Sequence, residues 1–119
     1  MAHIMLVDDS RISRRVIGDL LLGLGHKVSI EASSGEEALE QYQKEKVDCI
    51  LMDVEMGGIS GIETTKFLLQ KDPDVKVIIV SSVSEANRLK EAFANGARGN
   101  VQKPVNREAL QKAIESLVG

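Results

Sequence analysis

Tryptophan is absent from this 119-residue chain, and aromatic residues make up only 3% of it. Stacking platforms for nucleobases or flavin rings therefore have almost nothing to be built from. A single cysteine, Cys49, excludes an internal disulfide framework and fits a reducing compartment. No apolar run approaches the ~18 residues that a membrane-spanning helix requires, so no membrane insertion is expected. The opening Met1-Ala2-His3-Ile4-Met5-Leu6-Val7 lacks both a basic start and a long apolar stretch, and is not expected to act as a signal peptide. Neither sign of charge dominates. Fifteen Lys and Arg against eighteen Asp and Glu leave −3, which offers no footprint for direct nucleic-acid binding. What remains is the composition of a small cytoplasmic domain of 43% hydrophobic and 28% charged residues, expected to form one unit over 1–119.

Two kinds of segment alternate along the chain. Short apolar runs at His3–Val7, Lys27–Ala32, Asp48–Met52, Val75–Val80 and Asn100–Gln102 read as buried parallel strands. Longer stretches with helical spacing lie between and after them. Ile12, Val16, Leu20 and Leu24 mark the apolar face of the first, Ala86, Leu89 and Phe93 that of the fourth. Leu110, Ala113, Ile114 and Leu117 mark the last. Ser33 with Glu36, Ser34 with Glu37, Ser60 with Glu63 and Ser82 with Glu85 have capping-box spacing, and Asn106 suits an N-cap. Gly25, Pro73 and Gly96 supply stops. Five βα units in strict alternation predict an α/β fold, a doubly wound parallel sheet with helices on both faces.

Such a sheet binds at the carboxyl ends of its strands. Asp8 and Asp9 follow the first apolar run, Asp53 the third, Ser81 and Ser82 the fourth, and Lys103-Pro104 the fifth. Three carboxylates on one rim repel: two unit charges 4 Å apart cost ~4 kcal/mol at an effective dielectric of 20. Protons or a cation must intervene. An all-oxygen set without His or Cys suits a hard divalent ion, with Mg²⁺ expected and Mn²⁺ an acceptable replacement. Lys103 supplies a fixed positive charge, Ser81 a hydroxyl, and Asp53 on the central strand a nucleophile. These are parts for phosphoryl transfer. No Gly-rich phosphate loop is present, which argues against ATP as the direct donor.

Each residue also has a plainer reading. Asp8-Asp9-Ser10 suits a helix cap, Asp53 a turn before Gly57-Gly58, Ser81 and Ser82 turn hydroxyls, and Lys103 a solvated strand end. Cys49 reads as a small core residue, Met52 and Met56 as packing, His3 and His26 as surface, and Arg11, Arg14 and Arg15 as a solvated helix face.

Taken together, Asp8-Asp9, Leu51-Met52-Asp53-Val54-Glu55-Met56, Gly61, Ser81 and Lys103-Pro104 resemble the receiver domain of bacterial response regulators, the single-domain CheY-like members above all. The resemblance covers Ile4 to Leu117. It implies a flavodoxin-like fold of strand order 2-1-3-4-5. It implies that Asp53 accepts a phosphoryl group from the phosphohistidine of a histidine kinase or phosphotransfer protein. By the same resemblance Asp9, Asp53 and the Glu55 backbone carbonyl hold Mg²⁺ directly, and Asp8 does so through water. Lys103 pairs with Asp53 and then with the phosphoryl group. Ser81 moves to it, and the α4-β5-α5 face then engages a downstream target protein or a fused output domain, as a monomer or a phosphorylation-dependent dimer.

The chain departs from the family pattern at four places. Gly57 stands where Met-Pro is usual, which predicts a more mobile loop. Glu55 puts a carboxylate at the mouth of the site, and Ser82 replaces the common Ala. Asn100 occupies the position of the switch aromatic. The alternative these departures raise is a phosphorylation-independent interaction module. A hydrolase with an aspartyl-phosphate intermediate is a third reading, opposed by the lack of length for a cap domain.

Overall fold

Apolar side chains that alternate along a strand point to opposite faces of its sheet, and here both faces are covered. In the central strand Cys49 and Leu51 join one buried cluster while Ile50 and Met52 join the other. That double burial is why the strands read as unbroken apolar runs. The structure, a computed structural model, describes residues 1–118. Its elements are β1 (His3–Val7), α1 (Arg11–Gly23), β2 (Lys27–Ala32), α2 (Gly35–Lys44), β3 (Cys49–Asp53), α3 (Gly61–Lys71), β4 (Val77–Ser81), α4 (Ala86–Ala94), β5 (Gly99–Gln102) and α5 (Arg107–Val118). A single 3₁₀ turn, Val83–Glu85, leads into α4.

All strand pairs are parallel, in the order β2-β1-β3-β4-β5. This is the flavodoxin-like arrangement expected from the sequence. The chain runs outward from β1 to β2, then returns to β3 on the other side, so the switch point lies between β1 and β3. Leu6, Ile17, Leu21, Leu51, Leu110 and Ile114 fill the layer beneath α1 and α5. Met5, Ala38, Tyr42, Met52, Leu68 and Ala92 fill the layer beneath α2, α3 and α4.

The caps follow the sequence closely. Ser34 Oγ accepts from the Glu37 amide at 3.1 Å, Ser60 and Glu63 form a reciprocal capping box, and Asn106 Oδ1 accepts from the Ala109 amide at 2.9 Å. Glu36 does not cap with Ser33. Its Oε2 accepts from the Ile59 amide at 3.4 Å instead, across the gap to the β3–α3 loop.

Two helical faces differ from expectation. In α1, Ile17 and Leu21 are buried, whereas Ile12 and Val16 are 78% and 52% exposed. A strict i, i+4 series advances about 40° around the helix at each step, so it drifts off any single face within three steps. In α4, Ala92 is buried and Leu89 packs against the core, while Phe93 stays exposed. Strand bounds also shift: β3 and β4 each run one residue further than the apolar composition suggests, because the ladder pairs Asp53 with Val80 and Ser81 with Gln102.

Candidate functional site

Because β3 and β4 extend through them, Asp53 and Ser81 are the last residues of their strands rather than the first residues of loops. Val7 pairs with Met52, so Asp8, one residue past β1, comes out beside Asp53. Asp8, Asp9 and Asp53 each offer a carboxylate oxygen, and all three oxygens lie within 4.8 Å of one another. Asp8 is 3% exposed and Asp53 4%, while Asp9 is open to solvent.

The turn after β1 is held from three sides. The Asp8 amide donates to the Ala32 carbonyl at 3.1 Å, Asp8 Oδ1 accepts from the Ser10 amide at 2.8 Å, and the Asp8 carbonyl accepts from Arg14 Nη1 at 2.6 Å. Ser10 does the capping of α1, its Oγ accepting from the Ser13 amide at 3.1 Å. That leaves the second Asp8 oxygen and the Asp9 carboxylate for other work. Arg14, expected to be solvated, is instead folded against Asp8 and the Glu31 carboxylate, 3.0 Å away. His26 likewise is half-buried, its Nδ1 accepting from the Ala2 amide at 3.0 Å.

Lys103 enters from the far side. It follows β5, the Lys103–Pro104 bond is cis, and its Nζ lies 2.7 Å from Asp53 Oδ1. At that distance the ammonium and the buried carboxylate oxygen form a close ion pair. Burial pushes the Asp53 carboxyl above its ordinary value. Lys103 opposes that, and Asp8 and Glu85 reinforce it. Desolvation works to lower the Lys103 ammonium, but Asp53 beside it, with Asp8 and Glu85 beyond, holds its pKa above the usual lysine value. Three carboxylate oxygens within 4.8 Å of one another, two of them on buried residues and only one paired with a lysine, fit a hard divalent cation, and Asp8, Asp9 and Asp53 are the residues that could hold it.

Gly61, at the start of α3, sits directly under the end of β3. A Cβ there would overlap the Asp53 carbonyl oxygen, while its amide donates to the Val54 carbonyl at 2.9 Å. The intervening loop is tied by two further contacts. Gly58, at φ +79°, lies against the Glu36 carboxylate, and Glu55 Oε1 accepts from Arg88 Nη1 of α4 at 2.6 Å. The Glu55 side chain is thus engaged by α4.

Ser81 is buried, and its Oγ lies 2.9 Å from Asn100 Nδ2. Ser82, beside it, bonds locally: its amide and hydroxyl both donate to Glu85 Oε1, at 2.7 and 3.0 Å. Cys49 is buried in the core as expected, and burial pushes its thiol up to about 12. Three contacts were invisible in the sequence: Arg14 with Asp8, Arg88 with Glu55, and Asn100 with Ser81. Each joins residues from different elements, so only the strand register or helix placement brings them together. A cavity of about 640 Å³ between α1 and the β2 edge includes none of the three acids. The chemistry sits on an open rim.

Fold and site together define a doubly wound α/β domain that gathers acids from two strand ends against one lysine from a third. The chain belongs to the response regulator receiver domain family, whose model matches residues 4–115. It is 32% identical over 115 residues to the chemotaxis protein CheY of Bacillus subtilis, covering 96% of each chain. It superposes on chemotaxis protein CheY4 of Vibrio cholerae with a TM-score of 0.89 and 30% identity, covering 98% of both chains. It is also 36% identical over 115 residues to the response regulator GacA of Pseudomonas viridiflava, covering 96% of this chain and 54% of that protein. The resemblance read from Asp8-Asp9, Asp53, Ser81 and Lys103-Pro104 therefore holds at the level of family and fold. No helix among the described residues is long and apolar enough to cross a membrane.

Proposed function

We propose that the protein is a phosphoryl-accepting switch of two-component signalling. Asp53 receives a phosphoryl group from the phosphohistidine of a histidine kinase or phosphotransfer protein. The observation that supports this most directly is the convergence on Asp53: a buried carboxylate paired with Lys103 at 2.7 Å, with Asp8 and Asp9 alongside.

In the transfer, an Asp53 carboxylate oxygen attacks phosphorus, the phosphorus–nitrogen bond of the donor breaks, and its electron pair returns to the imidazole. Mg²⁺ held by Asp8, Asp9, Asp53 and the Glu55 carbonyl would offset the charge of the phosphoryl oxygens. Lys103 lies close enough to follow that charge from the carboxylate to the phosphoryl group. The Ser81 hydroxyl donates to a phosphoryl oxygen, and the accompanying shift is passed to the α4-β5-α5 face, where a downstream target protein or a fused output domain reads it. The protein catalyses only its own phosphorylation and dephosphorylation, works in the cytoplasm as one receiver domain over 1–119, and is a monomer or a phosphorylation-dependent dimer.

Incubation with acetyl phosphate and Mg²⁺ tests this by intact mass. One phosphoryl group should be gained by the wild type and none by Asp53→Asn. Absence of any adduct across donors and metals would remove the reading.

A further inference from the structure

Asn100 stands where the family resemblance places a switch aromatic, and its amide can be oriented from its neighbours. Ile79 and Asn100 are partners in the β4–β5 ladder, so Asn100 emerges from the same face of the sheet as Ile79 and, two residues on, Ser81. Its Nδ2 lies 2.9 Å from Ser81 Oγ and 3.5 Å from the Ile79 carbonyl oxygen. A carbonyl can only accept, so the atom facing both groups is the NH₂ and not the amide oxygen. Toward Ser81 the amide is therefore the donor and the hydroxyl the acceptor.

We propose that Asn100 is a positioning residue that sets the direction of the Ser81 hydroxyl. With its oxygen engaged from β5, the hydroxyl keeps its own proton for a partner on the other side of β4, where Asp53 ends the neighbouring strand β3. Ser81 is buried, so bulk water competes little for this arrangement. A phosphoryl oxygen arriving at Asp53 meets a donor already aimed, and no reorientation of the hydroxyl is needed during transfer. Once Ser81 donates to that anionic oxygen, its own oxygen becomes a better acceptor, and the Asn100 amide is drawn more tightly to it. Occupancy of Asp53 thus reaches β5 through one hydrogen bond, with no ring to swing.

This inference rests on the phosphoacceptor reading above, and the experiment separates the two. Phosphoryl gain from acetyl phosphate with Mg²⁺ is followed by intact mass against time in wild type, Asn100→Ala, Ser81→Ala and the double variant. Loss of one oriented neutral hydrogen bond predicts that Asn100→Ala slows the gain about 3- to 10-fold. Ser81→Ala is slower still, and the double variant no slower than Ser81→Ala. Asn100→Asp keeps the side-chain shape but presents acceptors in place of the NH₂, turning the Ser81 proton back toward β5. It should be slowed at least as much as Asn100→Ala, and it serves where the truncation disturbs the edge strand. A wild-type rate for both Asn100 variants, or an equal further slowing when Asn100→Ala is added to Ser81→Ala, overturns the role assigned to Asn100 while leaving the phosphoacceptor reading intact. No adduct on the wild type overturns that reading, and this inference with it.

Discussion

Lys103 reaches Asp53 across an intervening strand: Asp53 ends β3, Lys103 follows β5, β4 lies between them, and Nζ still comes to 2.7 Å from Oδ1. The pair spans fifty positions of sequence, and its geometry depends on the twist and stagger of three strands. Lys103 is the counter-charge that opposes the burial of Asp53. Removing it in Lys103→Met is expected to raise the Asp53 carboxyl further and to abolish most phosphoryl gain. Carboxyl-carbon NMR across a pH series measures the first effect and intact mass the second. An unchanged titration of Asp53 would show the contact to be incidental.

The raised Asp53 carboxyl also carries a stability consequence. Because the folded protein holds this proton more tightly than the unfolded chain, the contribution of Asp53 to stability is full below the ordinary carboxylate value of 3.8 and is lost as pH rises through the raised one. At neutral pH the ionised carboxylate works against the metal-free fold. Asp53→Asn should therefore melt higher than wild type at neutral pH without Mg²⁺, and the gap should close toward about pH 3.5. Circular dichroism melts decide this. A wild type that melts higher at neutral pH would mean that attraction to Lys103 outweighs burial.

A cation that binds the folded acids and not the unfolded chain should reverse that deficit. With Mg²⁺ at roughly 100 times its Kd, linkage adds ~2.7 kcal/mol, enough to raise the melting temperature of a domain this size by several degrees. Asp9 is exposed and unencumbered by the hydrogen bonds that hold Asp8. Asp9→Asn is thus expected to lose the Mg²⁺-dependent rise while melting near wild type in its absence. A full rise in Asp9→Asn would place the ion elsewhere.

Most of the scaffold was legible because its strands are buried on both faces, and unbroken apolar runs such as Cys49-Ile50-Leu51-Met52 have few other readings. The acids and the lysine were legible because a doubly wound sheet sends its strand ends to one rim, so position in the chain already fixed position in space. Lateral relationships were not. That Asn100 lies beside Ser81 depends on the register of β4 against β5, and that Arg88 meets Glu55 depends on where α4 packs. Neither quantity leaves a periodic trace in one sequence. The inward face of α1 differs in its first half for another reason: Leu20 and Leu24 pack against the core, but spacing alone does not tell Ile12 and Val16, which are exposed, from Ile17 and Leu21, which are buried.

The inward face of α1 can be checked directly. Leu21 is fully buried on the inward face of α1, and Leu21→Ala should cost about 2–5 kcal/mol through lost burial and the cavity left behind. Ile12 is largely exposed, and Ile12→Ser should stay within ~0.5 kcal/mol of wild type. Urea unfolding of the two variants separates the faces. Comparable losses at both positions would restore the i, i+4 stripe.

Two glycines of the same chain should respond to alanine in opposite directions. At Gly61 a Cβ would overlap the backbone carbonyl of Asp53, and neither partner is a flexible side chain that could yield. Accommodation must come from the end of β3 or the start of α3, both of which place the phosphoacceptor candidate. Gly61→Ala is therefore expected to destabilise by about 1–3 kcal/mol and to slow phosphoryl gain. Gly18, inside α1, has nothing within 4 Å of where its Cβ would stand. There alanine restricts the unfolded chain and favours the helix, so Gly18→Ala should stabilise by about 0.5–1 kcal/mol and leave phosphoryl gain unchanged. Urea unfolding with parallel mass measurements reads both. Equal tolerance at the two sites would mean that α3 does not approach Asp53 as closely as the packing of Gly61 requires.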